Sequence, residues 1–413
     1  MEASSGRRGL ALAGGGPLGA IYEIGALVAL DEALDGCRMA ECDVYVGVSS
    51  GGFFAAGLAN GMTPREMFES FIENTADDPF EPAVLMQPAI TEFARRLLGV
   101  VPLILTTVGK WLGRPTRRGL WGAAERLGRA LPTGIFNNRY LIRYLDRLFA
   151  APGRSNDFRQ LKKQLFLVAT DLDTNEAVAF GAPGWDHVPI SVAMAASAAL
   201  PGLYPPVEYG GRYFVDGALR KTLHASTALR AGVKLLLCIN PLVPFDAALA
   251  ERRSGKRPPP LVDFGLPMVL SQTFRSIIHS RMHVAMDHYS SEFPDADIVL
   301  FEPAQDDPAV FFVNVLSYAD RRQLCEHAYQ FTRHELLRRH DELAPVLARH
   351  GVSINRAMLL DSTRTLLAGK VASALADTMR QLDQTLNQLD GALPPLTATD
   401  IRHDQNTAPA IPV

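Results

Sequence analysis

Cysteine is scarce in this chain: Cys37, Cys42, Cys238 and Cys325 are the only four in 413 residues. They are too scattered for a disulfide framework and hold no paired CxxC ligands, so a reducing, cytoplasmic setting is the default expectation. An excess of one charge is missing as well. With 41 Lys and Arg against 44 Asp and Glu, the formal net charge is −3, and the chain as a whole has no field that would attract nucleic acid. Long apolar runs are absent too. "LLGVVPLILTTV" at Leu97–Val108 has about 12 residues where a membrane-spanning helix needs about 20. The apolar N-terminal stretch after Arg7 and Arg8 is broken by glycines and by Glu23, which argues against a cleaved signal peptide. No G-K-[ST] follows the glycines, and no HExxH occurs, so the usual P-loop and zinc-protease patterns are excluded.

What is present is an alternation of short apolar runs with helical patterns. "GLALAG" reads as a buried strand, and "PLGAIYEIGALVALDEAL" places Ile21, Ile24, Leu27, Val28 and Leu30 at helical spacing. "DVYVGVSSGGFFAAGLANG", from Asp43 to Gly61, repeats the arrangement of strand, glycine-flanked turn and small-residue helix. Further strands are expected at Gln164–Asp173, Lys234–Pro241 and Ala296–Pro303. Such alternation implies an α/β fold with a mainly parallel central sheet. "ERRSGKRPPP" at Glu251–Pro260 reads as a basic loop ending in prolines.

The two glycine turns carry the chemistry. Gly14, Gly16 and Gly19 satisfy G-x-G-x-x-G between a strand and a helix, which raises nucleotide binding. That reading fails at the second strand, which should end near an acidic residue for the ribose and instead ends in "VGVSSG". The sequence there, Gly47-Val48-Ser49-Ser50-Gly51, is a G-x-S-x-G elbow that would hold the Ser49 hydroxyl above the sheet edge. An ordinary helix N-cap would look similar in isolation. Only about 48 residues precede Ser49, room for roughly two strands, which is too few for an ordinary α/β-hydrolase.

Three motifs in order, "GGGPLG" at Gly14–Gly19, "GVSSG" at Gly47–Gly51 and "DGA" at Asp216–Ala218, resemble those of the patatin-like phospholipases. Supporting stretches are Leu131–Leu145, "VATDLDT" at Val168–Thr174 and Ala195–Leu219, so the resemblance spans about residues 8–220. It implies a three-layer α/β fold and a serine hydrolase of lipid esters without a cofactor or metal. Ser49 would be the nucleophile and Asp216 its base in a dyad lacking histidine. Backbone N–H groups of Gly14, Gly15 and Gly16 would form the oxyanion hole, with Gly19, Gly47, Gly51 and Gly217 supporting the turns. Two departures stand out: Leu18 occupies a position that is usually basic in the family, and Val48 replaces the usual threonine. They leave the catalytic groups in place and make a phospholipid headgroup a less certain requirement than an acyl ester. A non-catalytic membrane-binding scaffold retaining the fold is the alternative.

Three further features bear on function. "HSRMH" sets His279 and His283 on one helical face with Asp287, but metal binding is not expected without HExxH, and Phe274, Ile278, Met282, Ala285 and Tyr289 describe an amphipathic helix. Leu375, Met379, Leu382, Leu386, Leu389 and Leu393 form a stripe too short for a coiled coil, which packs on the chain's own domain or pairs two copies into a homodimer. Between Phe93 and Ala130, basic residues including Arg114, Arg117 and Arg118 flank an apolar stretch holding Trp111 and Trp121. Such a segment suits a membrane surface or a cap over the core. The expected organisation is a catalytic domain at residues 8–245 with an insertion at about 80–130, a helical C-terminal region at 246–392 with one further core strand at 296–303, and a disordered tail at 393–413. The expected partner is a lipid or membrane surface rather than nucleic acid, with the protein cytoplasmic and peripheral on a membrane.

Overall fold

The apolar run after Arg7 becomes the strand on which the sheet is organised. The structure is a computed structural model that describes residues 6–74, 133–312 and 317–367. The chain divides into two units, Met1–Ser362 and Thr363–Val413, and all the elements named below belong to the first. The basic segment with Trp111, Trp121, Arg114, Arg117 and Arg118, the C-terminal leucine stripe and the tail all lie outside the described residues.

β1 (Arg8–Leu12) leads into α1 (Gly16–Ala33), β2 (Leu34–Asp35), β3 (Val44–Gly47), α2 (Ser50–Ala59) and α3 (Pro64–Phe71). The next described elements are α4 (Asn138–Phe149), β4 (Gln164–Asp171), β5 (Ala177–Phe180), α5 (Ile190–Ser197), β6 (Val207–Tyr209) and β7 (Arg212–Asp216). Then follow α6 (Ala225–Arg230), β8 (Leu235–Ile239), α7 (Ala247–Ser254), α8 (Gly265–Glu292) and β9 (Asp297–Phe301). α9 (Pro308–Phe311), α10 (Tyr318–Arg338), α11 (His340–Ala348), β10 (Ser353–Ile354) and α12 (Arg356–Leu360) complete the unit.

The main sheet runs β6-β7-β4-β3-β1-β8-β9, with β5 also paired to β4. From β4 to β9 the pairings are parallel, while β5, β6 and β7 form an antiparallel flank. The expected mainly parallel α/β architecture is therefore borne out. The five expected strands are all present, and four of them, β1, β3, β4 and β8, are buried over nearly their whole length, as strands covered on both faces should be.

From Ile21 to Leu30 α1 is buried all round, and its apolar sequence there has no polar face to offer water. α10 packs closely along it: at Gly25 a side chain would run into the Cys325 carbonyl and the Ala328 methyl. Fully burying a residue such as Leu27 or Leu30 there stabilises the fold by roughly 1.5–3 kcal/mol. Glu23, in the same helix, is wholly buried, and desolvation raises its carboxyl well above the usual range. The stretch read as a basic loop differs in part. Ala247–Ser254 is helical because the Asp246 carboxylate accepts the Leu249 N–H at 2.9 Å, and Gly255 ends the helix at φ +69°.

Candidate active site

Three strand ends are held level by backbone hydrogen bonds. The Ala13 N–H donates to Ile239 O at 3.0 Å, and the Val48 N–H donates to Leu12 O at 3.1 Å. The turns leaving β1 and β3 therefore emerge side by side at the C-terminal edge of the sheet, where ligands bind in open parallel α/β folds.

After β1 the chain enters α1 across Gly15 and Gly16, with no side-chain cap, and Gly16 has φ +58°. After β3 the chain turns at Ser49, whose φ of +51° and ψ of −126° lie in a region that side-chain-bearing residues rarely adopt. Ser49 thus sits on a strained elbow, as the G-x-S-x-G spacing predicts. Its N–H donates at 3.0 Å to the Oγ of Ser197 in α5, and that hydroxyl in turn donates to Val168 O in β4 at 2.6 Å. Ser197 is wholly buried and anchors the elbow from the end of α5. Nothing in the sequence distinguishes it from the other small residues of "AASAALPG".

The third motif comes from the antiparallel flank. β7 ends at Asp216, beside Ala169 of β4, and its N–H donates to Ala199 O at 3.0 Å. The Asp216 side chain is 2% exposed. Desolvation pushes its carboxyl up to about 6, against hydrogen bonds from the Ala218 N–H at 2.8 Å and from the Ser49 hydroxyl. The hydroxyl and the buried carboxylate are therefore neighbours. A methyl group at Gly14 would come within 2.9 Å of Ser49 Cβ and 3.5 Å of Ala218 Cβ, so all three motifs meet at one point. Only glycine fits there.

The remaining motif glycines are also sites of close approach: Gly19 against Pro241, Gly47 against Gly52, Gly51 against the carbonyls of Leu12 and Ala13, and Gly217 against the Val168 carbonyl. Among Gly14, Gly15 and Gly16 one N–H is already engaged, since Gly15 donates to Ser50 Oγ at 2.9 Å. For Gly14 and Gly16 no acceptor lies among the described residues.

His224, the histidine nearest in sequence to the acid, makes its side-chain hydrogen bond to Gly217 rather than to Ser49 or Asp216. Burial lowers it to about 4, so its ring is neutral, and with Nε2 3.3 Å from Gly217 O it donates to that carbonyl and braces the turn after Asp216. Asp171 braces the same flank. Burial alone would raise its carboxyl, but the N–H groups of Thr174 and Asp173 and the Arg212 guanidinium at 2.5 Å hold it below the usual range.

Beside the glycine turn a cavity of about 190 Å³ is lined by Leu18, Met268, Gln272, Arg275 and Phe311. The Arg275 guanidinium lies 4.9 Å from the Phe311 ring centre and donates to Val243 O at 3.2 Å, and burial lowers it to about 10. A second cavity, of about 160 Å³, adjoins Ala218 and is lined by Lys221, His224, Met282 and Tyr289.

A serine on a strained strand-to-helix elbow, near a buried carboxylate and beside a glycine turn, is an arrangement in which a carboxylate can take the proton of a hydroxyl. Sequence comparison carries the assignment to a family. The family model described as patatin-like phospholipase matches residues 10–229, more than half of the chain, and the protein belongs to that family. No curated protein sequence matches the chain. Solved structures similar to it include VipD from Legionella pneumophila, at 15% identity, TM-score 0.37, covering 80% of this chain and 66% of that one. The type III effector ExoU of Pseudomonas aeruginosa is similar at 16% identity and TM-score 0.34, covering 97% and 66%. Human GIVD cytosolic phospholipase A2 is similar at 15% identity and TM-score 0.24, covering 63% and 46%. In each case the chain spans 66% or less of the other protein's length.

Proposed function

We propose that the protein is a lipid acyl hydrolase that cleaves carboxylic esters of phospholipids or related lipids through an acyl-enzyme on Ser49, with Asp216 as the base. The observation that carries the proposal is the placing of the Ser49 hydroxyl beside a carboxylate that burial has raised to about 6. A carboxylate so desolvated is a stronger base than one in water, yet it is ionised at neutral pH, as a general base must be.

Asp216 takes the hydroxyl proton as Ser49 Oγ bonds to the ester carbonyl carbon. The carbonyl oxygen then carries the negative charge and faces the glycine turn, where the Gly14 and Gly16 N–H groups are the unengaged donors and Gly15 joins them when it leaves Ser50 Oγ. Collapse breaks the bond to the alcohol oxygen, which receives the proton from Asp216. Water, deprotonated by the same carboxylate, repeats the sequence at the acyl carbon and releases the fatty acid. No helix among the described residues is long and apolar enough to cross a membrane. We place the substrate at a lipid surface that the basic residues Arg114, Arg117 and Arg118, with Trp111 and Trp121, would approach from the cytoplasm.

The test is covalent labelling of Ser49 by a fluorophosphonate, together with identification of the fatty acids released from a mixed lipid extract. Labelling lost in Ser49→Ala, with ester turnover by the unaltered protein, supports the hydrolase. Folded protein that neither labels nor turns over ester would instead be a lipid-binding scaffold.

A further inference from the structure

On the same edge of the sheet, with β1 and β8 between the Ser49 strand and β9, three side chains outside the proposed catalytic site converge. His279 and His283 lie one turn apart on α8, and Glu302 follows β9. The two Nε2 atoms are 3.0 Å apart. His279 Nε2 lies 3.7 Å from one Glu302 oxygen and His283 Nε2 lies 3.6 Å from the other.

The two rings can share one N–H···N hydrogen bond, but their distances to Glu302 suit no hydrogen bond to the carboxylate. An N–H···O hydrogen bond spans about 2.7–3.2 Å, so the carboxylate accepts from neither ring. Protonating both rings to form ion pairs would place two cations in contact. Donor atoms of all three residues instead lie within 4.8 Å of one another. In a tetrahedral site with metal–ligand distances of about 2.0–2.1 Å, neighbouring donors are about 3.3–3.4 Å apart; the separations here fall on either side of that value, with the two rings meeting different oxygens of the one carboxylate.

The surroundings fit the same reading. The Asn240 side-chain amide, just past the end of β8, donates to Glu302 Oε1 at 2.6 Å and fixes the carboxylate, as groups behind metal ligands do. The His279 and Glu302 side chains are 13% and 18% exposed, whereas His283 is 52% exposed, so one side opens to solvent for entry and for a fourth, water ligand. The sequence spacing points to Asp287 as the third group, but Asp287 is exposed on α8 and the chain brings Glu302 to the histidines instead.

We propose that His279, His283 and Glu302 bind a divalent transition metal, with zinc the ion best suited to two imidazoles and a carboxylate. The ion joins α8 to the ends of β8 and β9 and takes no part in the Ser49 chemistry. By holding α8 it also holds Arg275, and with it the wall of the cavity beside Leu18.

The test uses the full chain without a histidine tag, stripped with chelator and titrated with Zn2+ by calorimetry and with Co2+ by visible absorption. The expected result is one ion per chain and the intense visible bands of four-coordinate Co2+. His283→Gln and Glu302→Gln should each weaken Zn2+ binding by on the order of 100-fold, Asn240→Ala by about 10-fold, and Asp287→Asn not at all. His283 is largely exposed, so its replacement leaves the fold intact. No binding at about 100-fold excess Zn2+, or binding that the His283 and Glu302 variants leave unchanged, would overturn the proposal.

Discussion

The turn after β1 and the turn after β3 are built alike, from strand to glycine-rich corner to helix, and they differ in where backbone strain falls. In the first, the positive φ belongs to Gly16, a residue that adopts it freely. In the second it belongs to Ser49, where a side chain makes the conformation costly by about 1–3 kcal/mol. The strained serine is held by Ser197 below and Asp216 beside it, while the relaxed glycine turn supplies only backbone. One turn is shaped to admit a group and the other to present one.

The sharpest break of this comparison is to remove the presented group. Ser49→Ala and Asp216→Asn should each lower turnover of a short soluble ester by at least about 10⁴-fold, and the double variant should be little worse, because the two act as a unit. Near-normal turnover by folded Asp216→Asn would dissolve the dyad. For the unaltered protein, kcat/KM should rise with pH through an apparent pKa of about 6, as Asp216 ionises, and then level off.

Next in size is the stability cost of the buried acid. In the fold Asp216 keeps its proton up to about pH 6, whereas in the unfolded chain it releases it near about 3.9. The native state binds the extra proton between these values, so stability falls as pH rises from about 4 to 6 and stays lower above. The shift corresponds to about 3 kcal/mol. Asp216→Asn should therefore unfold at higher urea than the unaltered protein at pH 7.5 and at a similar concentration at pH 4.

Smaller effects separate the two turns directly. A Cβ at Gly16 meets nothing within 4 Å, so Gly16→Ala tests φ alone and should cost about 1–2 kcal/mol in urea unfolding. Ser49→Gly should be more stable than Ser49→Ala by about 1 kcal/mol, since glycine relieves the strain that alanine keeps. Equal stabilities would mean the elbow relaxes without its serine. Least of all, Ser197→Ala removes the acceptor of the Ser49 N–H and should lower kcat about 10-fold with KM little changed, the pattern of a misplaced nucleophile.

Much of this architecture is legible in the residues. β1, β3, β4 and β8 are short apolar runs bounded by turn residues, and burial on both faces is what such runs require. The antiparallel flank is less legible. β5, β6 and β7 have three to five residues each; β6 pairs with β7, and these two join the sheet where β7 pairs with β4, far back along the chain. α7 is hidden because "ERRSGKRPPP" is loop-like in composition, and the cap from Asp246 lies outside it.

The sequence by itself determined the strand–turn–helix order, the positions of Ser49 and Asp216 and the need for glycine around them, because turn chemistry and apolar periodicity are local. Only the tertiary structure decided what surrounds those residues. The burial that raises Asp216, the Ser197 anchor, and the choice of Glu302 over Asp287 beside the two histidines each join segments tens to more than a hundred residues apart. Desolvation and hydrogen-bond partners depend on which segments the sheet brings together, and spacing along the chain carries no record of that.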